Sequence, residues 1–261
     1  MIQRKTPGRD VVSESGNERD RGVDALAREA IRRLASARPT EADKRRKQRL
    51  MDLFCEILTN DDSDGAAQFV SQLQAGGVGY GALHLDWIAP AARQLGRDWI
   101  DDTLSFAAVS LASSRLHRIL RTLGRETGGL RETGGDLSAE VPRLLIAIPE
   151  GEMHTLGVEI FANLVRHHGW DAELSLAKTA QALAARVEAR ACDVVVLVSY
   201  DAAADIDLRA LIARLRETLP TRTRIALAGE IYAETSGAAD ALLPDLETAT
   251  DRLARLLALQ S

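Results

Sequence analysis

The strongest constraint on the fold is a repeated alternation, after Pro142, of short apolar runs with stretches of helical spacing. The apolar runs occupy residues 144–148, 172–176, 194–199, 225–228 and 241–243. The helical stretches lie at 157–168, 180–190, 206–218 and 245–259. Short strands that alternate with helices are typical of a parallel sheet covered by helices on both faces. Residues 141–261 are therefore predicted to form an α/β domain with a five-stranded parallel sheet, which binds ligands beyond the carboxyl ends of its strands.

The preceding part of the chain shows helical spacing only. Helices are predicted at residues 23–34, 40–58, 64–73, 80–95 and 104–123. Thr40, followed three residues later by Asp43, resembles the capping start of the second of these helices. Residues 23–123 are therefore predicted to form a helical bundle. Residues 1–22 are polar and lack apolar periodicity, so a disordered N-terminus is expected there.

Residues 124–140 separate these two patterns. They contain Arg-Glu-Thr-Gly-Gly twice, at 125–129 and 131–135, with Leu130 as the one apolar residue able to anchor the repeat. Gly-rich polar segments of this kind are typical of flexible connections. The segment is therefore predicted to be an interdomain linker.

Composition argues against a membrane protein or a secreted protein. No run approaches the roughly 18 to 20 apolar residues of a membrane span, and the N-terminus lacks the apolar core of a signal peptide. Cys55 and Cys192 lie far apart without metal-ligand spacing, which predicts two buried free thiols. We therefore expect a cytoplasmic protein with no membrane contact.

Charge is distributed unevenly along the chain. Residues 1–50 carry 14 Lys or Arg against 8 Asp or Glu, although the whole chain has a net charge of −5. A basic segment on an acidic body can contact nucleic acid or an acidic partner, with an affinity that falls as salt rises. A solvated helix face is the alternative interpretation. The residues predicted to make such contacts are Lys44, Arg45, Arg46, Lys47 and Arg49.

The loop after the first predicted strand contains the most informative histidine. His154 lies between the end of that strand and the start of a helix, where ligands of α/β domains bind. Imidazole is the commonest metal ligand in proteins, and Glu152 is spaced to orient it from the second shell. Gly157 would let the backbone approach a bulky ligand closely. A loop histidine alone is more often an inert surface residue, so the surrounding motif decides its interpretation.

Glu152-x-His154-x-x-Gly157 resembles the Asp-x-His-x-x-Gly signature of cobalamin-binding domains, whose sheet is flavodoxin-like, a Rossmann-like arrangement. In that family the histidine replaces the cofactor's own dimethylbenzimidazole as the lower axial ligand of cobalt. The resemblance implies that this chain binds cobalamin, in its hydroxo-, methyl- or adenosyl- form, with His154 on the cobalt. The loop residues implied to contact the cofactor are Glu152, Met153, His154, Thr155, Leu156 and Gly157.

Two further motifs of that family follow the third and fourth strands. Its Ser-x-Leu corresponds to Ser199-Tyr200-Asp201, and its Gly-Gly corresponds to Gly229-Glu230. Ser199 and Gly229 match the family, which implies that they contact the nucleotide tail of the cofactor beside the sheet. Tyr200 and Glu230 are the implied neighbouring contacts, while Asp201 and Glu230 depart from the family pattern.

Residues 81–113 resemble the last two helices of the cap that covers the upper face of cobalamin in methionine synthase, corrinoid proteins and cobalamin photoreceptors. They contain Leu-Gly-Arg-Asp-Trp at 95–99 and Leu-Ser-Phe-Ala at 104–107. Trp99 and Phe106 are therefore implied to wall the upper side, with packing in the core as the alternative. In light-sensing relatives Glu-His follows the Trp by ten and eleven residues. Val109 and Ser110 occupy those positions here, which excludes an upper histidine from them.

The other histidines and the missing motifs limit the possible chemistry. His84 and His117 lie in helical runs from which they could reach the cleft, but structural histidines are commoner, so a structural role is predicted for both. His167 and His168 close the first helix of the α/β domain, where cations complement the helix dipole. The sequence contains no Walker loop, no Gly-x-Gly-x-x-Gly, no zinc-spaced Cys/His set and no nucleophile elbow. The chain is therefore expected to be a sensor or a carrier and not an enzyme.

The architecture is similar to that of the AerR/PpaA antirepressors of purple bacteria, which join a short polar N-terminal segment to cap and cobalamin domains. The resemblance implies a light-responsive photoreceptor that regulates transcription of photosynthesis genes through a DNA-binding repressor. One alternative is a corrinoid methyl carrier for a separately encoded methyltransferase. Another is a haem sensor on the same scaffold, with His154 on the iron.

Overall fold

The computed structural model of the chain describes residues 40–60, 64–129, 141–148, 155–176, 179–199, 208–229 and 237–258. The polar segment predicted at 1–22 and the helix predicted at 23–34 lie outside these residues. The described part has a helical half, residues 40–129, and an α/β half, residues 141–258. Within it, no helix is both long enough and apolar enough to span a membrane.

The helical half contains five α-helices and one π-helical segment among its described residues. The π-helical segment, Leu83–Ile88, joins the third helix directly to the fourth. The helices are α1 (Glu41–Thr59), α2 (Gly65–Ala75), α3 (Tyr80–Ala82), α4 (Ala89–Ile100) and α5 (Phe106–Gly129).

Both ends of α1 are satisfied by specific side chains. At its start, the Thr40 hydroxyl accepts a hydrogen bond from the Asp43 amide at 3.2 Å, and the Asp43 carboxylate accepts one from the Thr40 amide at 2.9 Å. This confirms the capping box that the sequence predicts. At its end, the buried guanidinium of Arg115 donates to the carbonyl oxygens of Leu58, at 2.8 Å, and Asn60. The carbonyls that a helix terminus leaves unpaired are therefore bonded to α5.

Aromatic side chains fill the centre of the helical half. Phe54 of α1 stacks on Phe69 of α2, with ring centroids 4.8 Å apart. Trp87, in the π-helical segment, meets the Phe69 ring edge-on at 6.0 Å. Offset and edge-to-face pairs of this kind add about 0.5–1.5 kcal/mol each beyond the area they bury. The three rings therefore tie α1, α2 and the π-helical segment into one core.

The structure extends α5 beyond its predicted end. The helix continues through Gly129, so residues 124–129, predicted as the start of the linker, are helical; residues 130–140 lie outside the described residues. Each helical glycine costs about 1 kcal/mol relative to alanine, which is why the sequence predicts a break here. Tertiary contacts overcome this cost. Leu123 is buried, and Gly124 lies so close to α6 that a Cβ atom there would be 2.6 Å from Oδ1 of Asn163.

The α/β half has five strands within its described residues, all parallel, in the order β2-β1-β3-β4-β5. This order is the flavodoxin-like one, and it reverses direction between β1 and β3. The five-stranded parallel sheet after a helical bundle is therefore confirmed. The elements are β1 (Arg143–Ala147), α6 (Thr155–His167), β2 (Asp171–Ser175), α7 (Ala180–Arg190), β3 (Val194–Ser199), α8 (Leu208–Thr218), β4 (Arg224–Gly229), β5 (Ala241–Leu243) and α9 (Leu246–Ala258).

Alternate residues of each central strand face opposite sides of the sheet. Leu144 and Ile146 pack under α6 and α9, whereas Leu145 and Ala147 pack under α7 and α8. Both faces are therefore buried, which explains why the strands appear in the sequence as continuous apolar runs.

Helix α6 is buried on two sides. Phe161 and Val165 pack against the sheet, while Ile160 and Leu164 belong to the core of the helical half. A helix with buried apolar residues on two sides is expected to lie between two layers. The helical half therefore rests on α6, and the two halves meet along this helix.

Both cysteines are buried free thiols, as predicted. Burial raises the pKa of Cys55 to about 12 and that of Cys192 to about 11, and nearby carboxylates add to the rise at both thiols. Because the thiolate is the reactive form, neither group is suited to redox or nucleophilic chemistry at neutral pH.

Candidate functional site

A cavity of about 600 Å³, called the interdomain cavity below, lies between the two halves of the chain. Helices α4 and α5 form one wall, and the first turns of α6 form the other. Most of the lining is apolar or small, with Arg93, Ser113, His117 and Thr155 as its polar members. The lining residues are Ala89, Ala92, Arg93, Leu95, Gly96, Val109, Ser113, Leu116, His117, Thr155, Leu156, Gly157, Ile160 and Leu246.

A smaller cavity of about 280 Å³, called the strand-end cavity below, lies at the carboxyl ends of β4 and β5. Gly229 and Leu243 line it from the strands, and Ala249 lines it from α9. Arg93 and Leu246 line both cavities, so the two spaces adjoin. The shape suits a ligand with a broad part between the halves and a narrower part against the sheet.

Gly229 ends β4 with a φ of 101°, a backbone conformation that favours glycine. Its strand partner is Ser199, the last residue of β3. The structure therefore places the two residues implied to contact the nucleotide tail side by side at the carboxyl edge of the sheet. Gly229 also lines the strand-end cavity.

His117 of α5 lines the interdomain cavity where α5 contacts the first turns of α6. Its Nδ1 lies 2.5 Å from Oε2 of Glu159, and its Nε2 lies 3.4 Å from Oγ1 of Thr155. A carboxylate only accepts hydrogen bonds, so Nδ1 donates to Glu159. Both side chains of the pair are mostly buried, at 24% and 17% exposed. This arrangement fixes the ring and leaves Nε2 on the side of the cavity lining.

A second histidine joins the halves below the cavity. His84, in the π-helical segment, is fully buried; its Nδ1 donates to the Tyr80 carbonyl at 2.9 Å, and its Nε2 lies 3.4 Å from the Asn163 amide of α6. Asn163 also donates to the Leu120 carbonyl of α5 at 2.8 Å. Burial lowers the pKa of His84 below its ordinary value, and the neighbouring His167 lowers it further. The hydrogen bond to the Tyr80 carbonyl acts in the opposite direction but does not offset the burial. His84 therefore acts as a neutral, structural group, as the sequence predicts.

The predicted site residues fall into three sets. Thr155, Leu156 and Gly157 line the interdomain cavity, and Gly229 lines the strand-end cavity. Ser199 is placed by its backbone only, at the end of β3. The remaining predicted residues of the three loops lie outside the described residues and stay predictions: Glu152, Met153, His154, Tyr200 and Glu230.

Trp99 and Phe106 do not line either cavity. They are not core residues either, because Trp99 is 48% exposed and Phe106 is 73% exposed. Phe106 does continue the row of Val109, Ser113 and His117, since residues three or four apart share one helix face. The lining begins one turn further along α5 than the sequence indicates, and Phe106 lies at the end of that row.

Sequence reasoning misses the polar members that the helical half contributes to the cavity. His117 is predicted to be structural, with a position in the cleft as the alternative, and Arg93 is not singled out at all. Within the described residues, no group of three or more His, Cys, Asp or Glu side chains forms a metal cluster. The available signal for His117 is its spacing of eight residues from Val109, one of the positions compared with light-sensing relatives. Residues eight apart on an α-helix differ by about 80° in direction, so they lie within one broad stripe of the helix surface.

The comparisons with known proteins agree with this architecture. No family model matches the chain. The chain is 30% identical over 166 residues to an uncharacterized 20.5 kDa protein of the bchF-crtJ intergenic region of Rhodobacter capsulatus, covering 62% of this chain and 82% of that protein.

Among solved structures, the chain is similar to the monomethylamine corrinoid protein of Methanosarcina barkeri, with a TM-score of 0.63 and 14% identity over 81% of this chain and 99% of that one. A cobalamin-binding protein of Desulfitobacterium hafniense matches with a TM-score of 0.42 and 13% identity, over 79% of this chain and 98% of that one. The first likeness shows that the fold is the one seen in that corrinoid protein.

Proposed function

Since this chain belongs to the family of the 20.5 kDa protein from the bchF-crtJ intergenic region of Rhodobacter capsulatus, we propose that it is a cobalamin-binding, light-responsive transcription regulator. It acts as an antirepressor through a DNA-binding repressor, as its resemblance to the AerR/PpaA proteins implies. The position of the Rhodobacter gene in a photosynthesis cluster supports this role. Photosynthesis genes are therefore the proposed targets.

The interdomain cavity is the observation that carries the cofactor assignment. It lies beside the carboxyl ends of the strands, near the reversal of strand order, where ligands of such sheets bind. Its volume is within the usual range of about 300–1,000 Å³ for ligand pockets, and the adjoining strand-end cavity extends it. Its lining, mostly apolar with a few polar groups, suits a corrin ring edged with amides.

Residues of both halves would contact the cofactor, and Ala92, Gly96 and Ser113 line the cavity from the helical half. Thr155, Leu156 and Gly157 would contact the corrin from α6, and Gly229 would contact the nucleotide tail. His154 is the proposed lower ligand of cobalt. The bound corrinoid supplies an axial ligand bond that light or ligand exchange can alter. The chain contributes a binding site whose two walls belong to different halves.

Among the described residues, the halves are joined near the cavity by the mostly buried His117–Glu159 pair and by an exposed ion pair. Arg93 lies 3.9 Å from Glu247 of α9, but both side chains are more than half exposed, and such pairs contribute little. The proposed cofactor would contact both walls of the cavity. A change in its metal ligands would favour one arrangement of the halves over another if the new form makes better contacts in that arrangement. This is the proposed route from cofactor state to partner binding.

The experiment that tests the cofactor assignment is an absorption titration of the purified full chain with aquocobalamin and, separately, with haem. We expect one cobalamin per chain, a changed visible spectrum and no comparable haem complex. Haem binding without cobalamin binding would establish the haem-sensor alternative. Methyl transfer to the bound corrinoid by a separately encoded methyltransferase, without any response to light, would establish the carrier alternative.

Three arginines of α1 form the proposed contact to the repressor–DNA complex. Lys44 pairs with Glu41 at 2.7 Å, and Lys47 pairs with Asp86 at 3.1 Å. Within the described residues no acidic side chain pairs with the other basic residues of the run, which are exposed and share one helix face. We call these three residues the arginine face: Arg45, Arg46 and Arg49.

Replacing the arginine face by glutamine is expected to weaken binding to a duplex that carries its repressor, while cobalamin uptake stays unchanged. The slope of log affinity against log salt should fall by about 0.9 for each phosphate that the variant no longer neutralises. Fluorescence anisotropy at several salt concentrations measures both quantities. A control with the same change in charge replaces Arg118, Arg121 and Arg125, which are exposed on α5. Equal binding by the two triple variants would show that the arginine face is merely solvated.

Replacing Trp99 by alanine is expected to change the spectrum or the light response of bound cobalamin more than its affinity. Trp99 is half exposed and lines neither cavity, so it contributes little contact area to the described binding walls. The resemblance to the cobalamin cap implies that Trp99 lies on the upper side of the corrin, where its loss would affect the exchangeable ligand and not the tail. Absorption spectra before and after illumination, with a parallel affinity titration, measure the two effects. A loss of affinity with an unchanged spectrum would contradict this role.

A further inference from the structure

His117 is the one histidine among the described residues that lines the interdomain cavity. It projects from α5, whereas the predicted ligand His154 precedes α6 on the other wall. Small residues line the same cavity, with Ser113 one turn before His117 on α5 and Ala92 and Gly96 on α4. His117 therefore carries the one ring among the residues that line the helical wall of the cavity, whose volume is about 600 Å³.

Glu159 orients the ring in the way that metal-binding histidines are oriented. Such histidines commonly donate one ring N–H to a carboxylate, which fixes the tautomer and strengthens the other nitrogen as a ligand. Nδ1 of His117 makes this bond to Glu159 at 2.5 Å. In the neutral ring the lone pair then belongs to Nε2. Among the described residues, that nitrogen has one polar contact, a long one of 3.4 Å to the Thr155 hydroxyl, which is easily displaced.

We propose that Nε2 of His117 coordinates the metal of the corrinoid, as a nitrogen ligand supplied by the helical half and oriented by Glu159. This inference rests on the proposed function, because it needs a corrinoid in the interdomain cavity. It gives the helical half a direct bond to the cofactor in addition to the bond predicted for His154. Loss or replacement of this ligand would then break a bond between the cofactor and α5.

The competing explanation is that His117 and Glu159 merely tie α5 to α6. These helices already share an apolar contact, since Leu116 and Leu120 of α5 belong to the same buried cluster as Ile160 and Leu164 of α6. A structural tie and a metal ligand differ in what their loss changes. Loss of a tie lowers stability or affinity, whereas loss of a ligand changes the spectrum of the cofactor and the rate of its ligand exchange.

The test compares His117→Ala, Glu159→Gln and a matched control, His168→Ala, after loading with aquocobalamin in the dark. His168 is exposed just beyond the far end of α6. We measure the affinity, the visible spectrum and the rate at which added cyanide replaces the axial ligand. In the wild type and in His168→Ala, we expect the spectrum of a cobalamin with two imidazole ligands, from His154 and His117, and slow replacement.

In His117→Ala, we expect the spectrum of a cobalamin that keeps the His154 imidazole alone, and we expect cyanide to react about 10-fold faster or more. In Glu159→Gln, we expect a smaller change in the same direction, because loss of a partner that orients a ligand typically weakens metal affinity about 10- to 100-fold. Added imidazole should restore the wild-type spectrum of His117→Ala. Circular dichroism of each variant establishes that the fold is retained.

Two outcomes would overturn the inference, and they are distinguishable. If the wild type binds aquocobalamin but His117→Ala keeps its spectrum and exchange rate, His117 is not a ligand and the proposed function stands. A lowered affinity with these two properties unchanged has the same meaning. If the wild type does not bind aquocobalamin at all, both this inference and the proposed function are wrong.

Discussion

Replacing His154 by alanine is expected to abolish cobalamin binding or to weaken it by well over 10-fold. One nitrogen atom of this residue is the proposed lower ligand of cobalt, and the other contacts, from α6 and the strand ends, are non-covalent. Loss of even an indirect partner of a metal ligand typically costs about 10- to 100-fold in affinity, so loss of the ligand itself should cost at least as much. Equilibrium dialysis and an absorption titration measure the change.

His168→Ala is the matched control, because it removes an exposed imidazole just after α6 and away from its first turn. It should leave affinity and spectrum unchanged. If His154→Ala binds cobalamin with wild-type affinity and spectrum, the assignment of the lower ligand is wrong. A retained affinity with an altered spectrum would point to another axial nitrogen, for which His117 is the described candidate.

Replacing Ile160 by alanine is expected to lower the free energy of unfolding by about 2–5 kcal/mol. Ile160 is 1% exposed, lines the interdomain cavity and belongs to the core of the helical half although it lies on α6. Its replacement removes apolar packing and leaves a void where the two halves meet. Urea unfolding followed by circular dichroism measures the change through the shift in midpoint.

Ile100→Ala is the control for this prediction, since it removes the same atoms from a side chain that is 76% exposed. Its effect should stay within about 0.5 kcal/mol. Similar decreases in the two variants would show that the contact of α6 with the helical half does not form in solution. The Ile160 variant should also separate the unfolding of the two halves, because the shared core is what makes them unfold together.

The sheet is predictable from the sequence because the signal for each strand, a short apolar run, lies within the strand itself. Each strand is buried on both faces, so it appears as a short apolar run, and the observed strands begin and end within a residue or so of the predicted runs. The helix Ala180–Arg190 has the predicted limits. Thr40 and Asp43 also identify the start of α1, since a capping box needs only residues three apart.

What the sequence does not predict depends on packing between distant segments. Helix α5 passes through Gly124 because the residue fits closely against Asn163 of α6, and no local pattern contains that contact. His117 is interpreted as structural because Glu159 becomes its partner only when α5 packs on α6. Trp99 is implied as a wall residue by resemblance, but the lining that α4 contributes to the cavity ends at Gly96, nearly one turn earlier.

The π-helical segment Leu83–Ile88 sets the rotation, about the helix axis, between the side chains before it and the side chains after it. On its N-terminal side, Tyr80 stacks on His167 of α6 at 4.3 Å; on its C-terminal side, Ala92 and Gly96 line the interdomain cavity. A π turn holds about one residue more than an α turn, and one residue corresponds to about 100° of rotation. Deleting a single residue from this segment would leave helices on both sides but turn one face away from its partner. The number of residues in this segment therefore determines whether both faces meet their partners, and we expect it to be as strictly constrained as the identity of any side chain.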